Sequence, residues 1–576
     1  MDQKKSPDVS TKNIEHCNSQ DREEQLFENP NEFNVRFIKG KVLKPYQIEA
    51  IKWMIQREKK EHFGIRGGIN SSSMGLGKSI EALTLILSEY TNSNINSSEI
   101  CFPTLIICPV SAIYTWKEQI RNFFGNSCEF LIYKRDLLTK KQYDEIDFQT
   151  LIKYKIIITN YETVRTIAVR NNLHLKCLLF NSKNNIIGMK PLDTQNKLDN
   201  TIIGEKLLFN IKFNRIICDE SHFYNNPKSL IFYSLMCLHA DKKWGLTGTP
   251  IRNFSHDIYT QLMFLGFNKV YNIRDFTLDV YKQCNLSETI LYMTQEDAGL
   301  KLPEITNINV NLKIDNNERD FYNYLYKTIK NAHNDFIQKK AGSYTNILAM
   351  FMRLRQFCSA PYTILQQSSQ QSSEQSSEQF NENELFKGIN DWLRDKNGSS
   401  GIKFIKISAA MNILFKRIPV DDKVIIYTNF KRTINLFMHA LDRYNQFNNK
   451  NINFLYIDGD VTGEERLKKV EQFKSDIHCK ILFLTYKVGS ESLNLIEANH
   501  IILLEPVWCP AVISQAKCRV HRLGQTKKTT IWNMSIENTI EEKMLELCNK
   551  KQTMIKDFVA DKSEDISNDI INFMLN

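Results

Sequence analysis

Two arginines stand three residues apart, Arg519 and Arg522, within Gln515-Ala516-Lys517-Cys518-Arg519-Val520-His521-Arg522-Leu523-Gly524-Gln525. On one helix face they could present two fixed positive charges to a phosphoryl group in transfer. Far upstream, Met74-Gly75-Leu76-Gly77-Lys78-Ser79 has the make-up of a phosphate-binding loop, and Asp219-Glu220-Ser221-His222 lies between the two. Groups of this kind, drawn from both ends of one chain, could grip a nucleoside triphosphate between two domains.

Each group has a chemical task that its residue types suit. The loop follows Gly67-Gly68-Ile69 and opens a helical pattern, so the N–H groups of Gly75 and Gly77 would face phosphate oxygens. Lys78 would neutralise the β- and γ-phosphates of ATP, and the Ser79 hydroxyl would ligate Mg²⁺. The first glycine of the usual GxxxxGK[ST] pattern is Ser72 here. Asp219 would hold Mg²⁺ through water, and Glu220 would orient or deprotonate the attacking water. Leu246-Thr247-Gly248-Thr249-Pro250 could sense the γ-phosphate, or serve only as a turn. Alone, Asp-Glu reads equally as an acidic turn. The order and spacing of the set favour chemistry.

Positioning these residues requires strands that end beside them. Apolar runs suited to buried parallel strands occur at Leu105–Cys108, Ile156–Ile158, Arg215–Cys218, Val424–Tyr427, Ile481–Leu484 and Ile501–Leu504. Helical stripes fall between them, with Ile80, Leu83, Leu87 and Tyr90, then Ile113, Trp116, Ile120 and Phe123, at three- and four-residue steps. The expected fold is α/β: two doubly wound parallel-sheet lobes with helical insertions. The domain reading is a disordered tail over 1–34, lobe 1 over 35–268 with a polar insertion at about 168–208, and a linker over 269–300. Then come a helical start of lobe 2 at 301–365, a low-complexity loop at 366–400, lobe 2 proper at 401–560 and a tail at 561–576. Asn538-Thr539-Ile540-Glu541 reads as a capping box for the last helix.

Composition narrows the function classes. Of 576 residues, 42% are hydrophobic and 24% charged, as in globular proteins, and the net charge of +10 accommodates a phosphate-bearing partner. Thirteen cysteines include no CxxC pair, which argues against both a disulfide framework and a zinc module. No apolar run of eighteen residues exists, so no membrane span is expected. Trp53, Trp116, Trp244 and Trp508 read as packing residues, Cys108, Cys218 and Cys358 as small buried ones, and His222 and His521 as hydrogen-bonding ties between motifs.

Taken together, the set resembles the SWI/SNF-type ATPases, helicase-like DNA translocases of superfamily two. The matching segments run in order from about residue 35 to 560. They are LKPYQIEAIKWM (43–54), MGLGKS (74–79), LIICPVSAIYTW (105–116), TNYETV (159–164), DESH (219–222), WGLTGTPIRN (244–253), FMRLRQFCSAP (351–361), KVIIYTNF (423–430), YIDGDVTGEER (456–466), LNL (493–495) and EPVWCPAVISQAKCRVHRLGQT (505–526). The resemblance implies that the two lobes are RecA-like with a nucleotide cleft between them. It implies that Gln47 reads adenine and that the loop Ser72, Ser73, Met74, Gly75, Leu76, Gly77, Lys78 and Ser79 cradles ATP with Mg²⁺. It implies that Asp219 and Glu220 drive hydrolysis and that Arg519 and Arg522 act as arginine fingers. It places Pro109, Ser111, Thr159, Tyr161 and Thr428–Lys431 near a duplex DNA track.

The chain departs from the family at three places. Ser72 and Ser73 stand where an acidic pair is common, Ser221 replaces a smaller residue, and Ser490 and Ser492 replace glycines in a loop expected to touch ATP and DNA. The leading expectation is an ATP hydrolase that translocates on duplex DNA with little sequence specificity and remodels chromatin or other protein–DNA complexes. A strand-separating DNA or RNA helicase is the enzymatic alternative, and a degenerate ATPase serving as a DNA-binding scaffold is the non-enzymatic one. Location should follow the DNA, in the nucleus or at a cytoplasmic viral replication site.

Overall fold

The structure, a computed structural model, describes residues 31–92, 102–126, 128–137, 146–173, 178–180, 186–189, 204–249, 256–270, 275–338, 344–361, 404–461, 463–489 and 493–559. The chain separates into two compact units that part between Ala298 and Gly299. Among the described residues, no helix is long and apolar enough to cross a membrane.

Short apolar runs make the strands of the first unit. They are β1 Gly67–Asn70, β2 Thr104–Cys108, β3 Phe130–Ile132, β4 Ile156–Asn160, β5 Leu178–Phe180, β6 Ile186–Met189, β7 Lys212–Asp219, β8 His239–Leu246 and β9 Ile290–Leu291. Seven form one sheet in the order β3-β4-β2-β7-β8-β1-β9, with every pairing parallel. The other two, β5 and β6, pair with each other as an antiparallel hairpin inside the polar insertion. Every residue of β2 and β4 is buried, as expected for parallel strands covered on both faces. The helices Pro45–Lys59, Lys78–Asn92 and Ala112–Phe124 contribute Ile51, Met54, Leu83, Ile86, Trp116 and Ile120 to a core shared with Ile106, Ile158 and Ile217.

The second unit has the same plan. Its strands are β10 Ile305–Leu312, β11 Lys423–Thr428, β12 Asn453–Ile457, β13 Cys479–Thr485, β14 Ala498–Leu503 and β15 Thr529–Ile536. They form a wholly parallel sheet ordered β10-β15-β14-β11-β13-β12. Three helices, Asn316–Ile337, Tyr344–Ser359 and Ile540–Val559, close a further core around Phe321, Leu325, Met350, Leu354, Met544 and Leu547. The α/β class with two parallel-sheet lobes is therefore correct.

Four local expectations need correction. Residues 31–34 do not continue the tail: Phe33 is buried in the first core, and the Asn31 side-chain oxygen accepts from the Phe33 and Val35 N–H groups at 2.9 and 3.2 Å. The linker reading of 269–300 conceals β9, which pairs with β1 through Ile290 and Leu291. Residues 305–312 open the second unit as a strand, not a helix, because Ile305, Asn307, Asn309 and Asn311 alternate with Thr306, Ile308, Val310 and Leu312 along an edge strand beside β15. The final helix is not capped by the expected box, since Asn538 adopts a left-handed backbone and Thr539 Oγ1 accepts the Glu541 N–H at 3.3 Å. Glu541 turns inward instead. The low-complexity loop at 366–400, the C-terminal tail at 561–576, and Ser490 and Ser492 lie outside the described residues.

Candidate active site

The loop that follows β1 is shaped by its glycines and tied down on several sides. Gly75 and Gly77 take φ of 88° and 95°, a region costly for residues with a Cβ. A Cβ on Gly77 would also meet Gln47 Nε2 at 2.3 Å. That amide donates to the Leu76 carbonyl at 2.9 Å, while Gln47 Oε1 accepts from the Lys44 N–H at 2.9 Å. At the loop entrance, the Ser71 and Ser73 N–H groups donate to the carbonyls of Leu291 and Met293, both at 2.7 Å. The end of β9 and the residues just after it thus brace the loop from outside. Lys78 Nζ donates to the Ser72 carbonyl at 2.6 Å and the Ser73 carbonyl at 3.3 Å, which holds the ammonium against the loop. Ser79 lies in the first turn of the helix Lys78–Asn92, where free N–H groups and the helix dipole favour anions.

Two strands away, β7 delivers Asp219 to the same carboxyl edge of the sheet. Asp219 Oδ2 accepts from Trp116 Nε1 at 2.8 Å, Oδ1 accepts from the Glu220 N–H at 3.0 Å, and the Asp219 carbonyl accepts from the Tyr161 hydroxyl at 2.7 Å. Burial and the adjacent Glu220 carboxylate push Asp219 up to about 7, against smaller opposing effects from Trp116 and Lys78. Glu220 has a left-handed backbone, φ 52° and ψ 55°, a conformation that costs a non-glycine residue roughly 1 kcal/mol or more. The turn directs its carboxylate back along the edge, with Oε2 3.2 Å from His222 Nδ1.

The intervening strand β8 ends at Leu246 and leads into Thr247-Gly248-Thr249, the third motif at this edge. Thr247 N–H donates to the Asn70 carbonyl at 3.1 Å, and Thr247 Oγ1 lies 3.2 Å from His222 Nδ1. Ser221 is fully buried, donates to Gln261 Oε1 at 2.6 Å, and packs under Gly245, where an added Cβ would meet it at 3.1 Å. The substitution at Ser221 is therefore absorbed by a built polar contact. His222 ties motifs together, as expected.

In the second unit the helix Pro510–Val520 ends before Arg522, which corrects the single-helix reading of the arginine pair. Arg519 occupies its last turn and is mostly buried, and its carbonyl accepts the Leu495 N–H at 3.0 Å. Burial lowers the Arg522 guanidinium below its ordinary value, and the neighbouring Arg519 charge adds to the effect. Gln525 holds this turn: its amide donates to the carbonyls of Ile496, Ala498 and Val520 at 2.9, 2.8 and 3.2 Å. His521 Nε2 lies 2.8 Å from the Pro303 carbonyl.

Of the residues set beside a DNA track, Pro109 and Ser111 are half-buried. Thr159 and Tyr161 are buried, and the Thr159 hydroxyl donates to the Tyr133 carbonyl at 2.7 Å. Thr428 is buried and donates to Glu505 Oε1 at 2.9 Å, while Lys431 is half-exposed and pairs with Asp458 at 2.8 Å. Phe223, directly after the acidic motif, stacks on Tyr161 with ring centroids 5.4 Å apart. Sequence reasoning missed the polar role of Trp116 and the support from residues 291–293. The indole sat among apolar helix positions, and β9 is only two residues long.

The first unit suits a nucleotide phosphate and a divalent cation. A Cβ on Gly77 or Gly248 would crowd Gln47 or Met74, and the hydroxyls of Ser72 and Thr249 are buried beside the loop without a partner among the described residues. Asp219, raised first by burial and then by the Glu220 charge, offers a hard oxygen donor whose ionised form a Mg²⁺ ion would favour.

Two family models together match most of the chain. The SNF2-related domain model matches residues 46–363, and the helicase conserved C-terminal domain model matches residues 405–524. The putative helicase 172L of Invertebrate iridescent virus 6 is 32% identical, covering 92% of this chain and 92% of its own length. The probable global transactivator of Orgyia pseudotsugata multicapsid polyhedrosis virus is 25% identical, over 88% and 90% of the two chains. Among solved structures, the Sulfolobus solfataricus SWI2/SNF2 ATPase core in complex with dsDNA aligns over 90% of this chain and 93% of its own, with 20% identity and a TM-score of 0.35. With the phosphate loop, the acidic pair and the paired arginines set in two parallel-sheet lobes, and family models covering both, this chain belongs to the SNF2-related family of helicase-like ATPases.

Proposed function

We propose that this SNF2-type ATPase is stimulated by duplex DNA and translocates along it, displacing or rearranging DNA-bound proteins. The observation that carries the reading is the convergence of Lys78, Asp219–Glu220 and Thr247–Thr249 on one carboxyl edge of one sheet, linked by hydrogen bonds. In this reading Gln47 orders the loop that meets the nucleotide, and the Gly75 and Gly77 amides with Lys78 bind the phosphates. Ser79 and Asp219 would hold Mg²⁺, which when bound neutralises charge developing on the phosphate oxygens. Glu220 takes the proton of the attacking water, and its strained backbone keeps the carboxylate at the edge. Arg519 and Arg522 supply fixed positive charge to the group in transfer, the task for which guanidinium is suited.

Translocation on duplex DNA rests on the family and on the net charge of +10. The relatives' names, a putative helicase and a probable global transactivator, point toward DNA transactions of viruses. The site of action would then be the nucleus or a viral replication site. The test is phosphate release measured with no nucleic acid, single-stranded DNA, duplex DNA and RNA, alongside triplex displacement and forked-duplex unwinding. Duplex stimulation and triplex displacement without unwinding are expected, and Lys78→Ala and Glu220→Gln should each abolish stimulated release. Equal turnover in all four conditions, or activity retained in both variants, refutes the proposal.

A further inference from the structure

The entrance to the phosphate loop carries no charge of its own, since Asn70, Ser71, Ser72 and Ser73 precede Met74. A carboxylate nevertheless lies against it from within the protein. Glu81, one turn into the helix Lys78–Asn92, is almost wholly buried, and its Oε2 accepts from Asn70 Nδ2 at 2.7 Å. Asn70 is fully buried at the end of β1, and its Oδ1 accepts the Ser72 N–H at 3.2 Å. The Ser72 carbonyl takes the Lys78 ammonium at 2.6 Å, while the Asn70 carbonyl takes the Thr247 N–H at 3.1 Å. One asparagine thus joins the helix interior, the loop entrance, the phosphate lysine and the turn after β8.

We propose that Glu81 and Asn70 are positioning residues for the ATP phosphates, acting as a pair through Ser72 on Lys78. A buried polar pair is a costly way to fill a core, because each partner leaves the other unsatisfied if removed. Its geometric return is that the carboxylate fixes the rotation of the Asn70 amide. The oriented amide oxygen then holds the Ser72 N–H on one side of the residue, while the Ser73 N–H, coplanar with the Ser72 carbonyl, is held by the Met293 carbonyl at 2.7 Å, so both sides of Ser72 are set where its carbonyl meets the ammonium. A leucine in place of either residue would fill the volume and release the Ser72 N–H from the side chain that orients it, leaving Ser72 held only through its two neighbours.

The inference rests on the ATPase reading, and its test separates the two. Affinity for a fluorescent N-methylanthraniloyl ATP analogue with Mg²⁺ is measured, with melting temperature, for wild type, Glu81→Gln, Glu81→Leu and the double variant Asn70→Leu, Glu81→Leu. Glutamine keeps an acceptor for Asn70 Nδ2 and should bind within about twofold of wild type. Glu81→Leu, assayed where circular dichroism shows it folded, should bind about tenfold more weakly, the loss of roughly one well-placed hydrogen bond. The double variant removes both polar groups together, so its melting temperature should return toward wild type while its affinity stays about tenfold weaker. Recovery of affinity along with stability, wild-type binding by Glu81→Leu, or a Glu81→Gln variant as weak as Glu81→Leu would overturn the proposal. Absence of turnover in the wild type would instead overturn the ATPase reading, and the binding comparison would still judge the pair.

Discussion

Trp116 and Asp219, 103 positions apart, meet through a 2.8 Å hydrogen bond from the indole N–H to the carboxylate. Trp116 is buried in the helix Ala112–Phe124, so the carboxylate is aimed by a side chain whose own position the core fixes. A Trp116→Phe variant keeps most of the packing and loses the donor. Hydrogen bonds to charged groups contribute about 1.5–3 kcal/mol. The Mg²⁺ concentration for half-maximal phosphate release should therefore rise about tenfold, and excess Mg²⁺ should restore most of the rate. A Mg²⁺ titration of ATP turnover checks this, and an unchanged midpoint would show that the indole only packs.

Lys406 and Glu541 form a nearly solvent-free pair at 2.5 Å in the second unit, and Glu541 Oε2 also accepts the Ile536 N–H at 2.9 Å. Burial raises the Glu541 carboxyl above its ordinary value, and Lys406 opposes that shift. Lys406→Met leaves a buried carboxylate without its cation and should cost about 3–5 kcal/mol, whereas Lys406→Met with Glu541→Leu should regain much of it. Urea unfolding of the four members of the cycle gives the coupling. Additive losses would refute it.

A carboxylate at the opposite end of the first sheet gives a pH signature. Burial alone would raise Glu89, but Arg215 at 2.9 Å and Lys242 at 2.6 Å outweigh it and hold the carboxyl at about 2, against an ordinary 4.5. The folded state thus favours the ionised form. Its contribution is complete above about pH 5 and is lost as pH falls through about 2. Glu89→Gln should be less stable than wild type at pH 7, and the gap should close as the pH is lowered from about 5 toward 2. Because the carboxylate is more than a third exposed, screening by solvent and salt reduces the gap. Denaturant midpoints across that range measure it, and a gap that widens in acid would contradict the assignment.

Arg519 lies in the last turn of its helix beside Arg522, in a turn pinned by Gln525. An Arg519→Ala variant should bind ATP within a few-fold of wild type and lose about 10³-fold in DNA-stimulated turnover, the scale set by arginine fingers elsewhere. Equilibrium nucleotide binding and single-turnover hydrolysis, compared in the same preparation, test the split. A parallel loss of affinity would move Arg519 from hydrolysis to ground-state binding.

Much of this protein was legible along the chain, because buried parallel strands must be apolar on both faces and therefore appear as runs. The strands Thr104–Cys108 and Ile156–Asn160, and the buried run Ile481–Leu484 within Cys479–Thr485, are of that kind. The residues proposed to bind phosphate, the acidic motif and the arginine pair stand out equally in the sequence, since the chemistry proposed for them demands particular side chains in a fixed order. Tertiary structure alone decided what supports them. β9 is too short to carry a periodicity, and β10 alternates as an edge strand beside a helical pair, so both lay hidden in stretches that read as linker and helix. The partnership of Trp116 with Asp219, and of Glu81 with Asn70, depends on which faces of which helices press on which strand ends. A one-dimensional pattern records that a side chain is buried, while the choice of hydrogen-bond partner inside the core is made only when the sheet brings distant strand ends together.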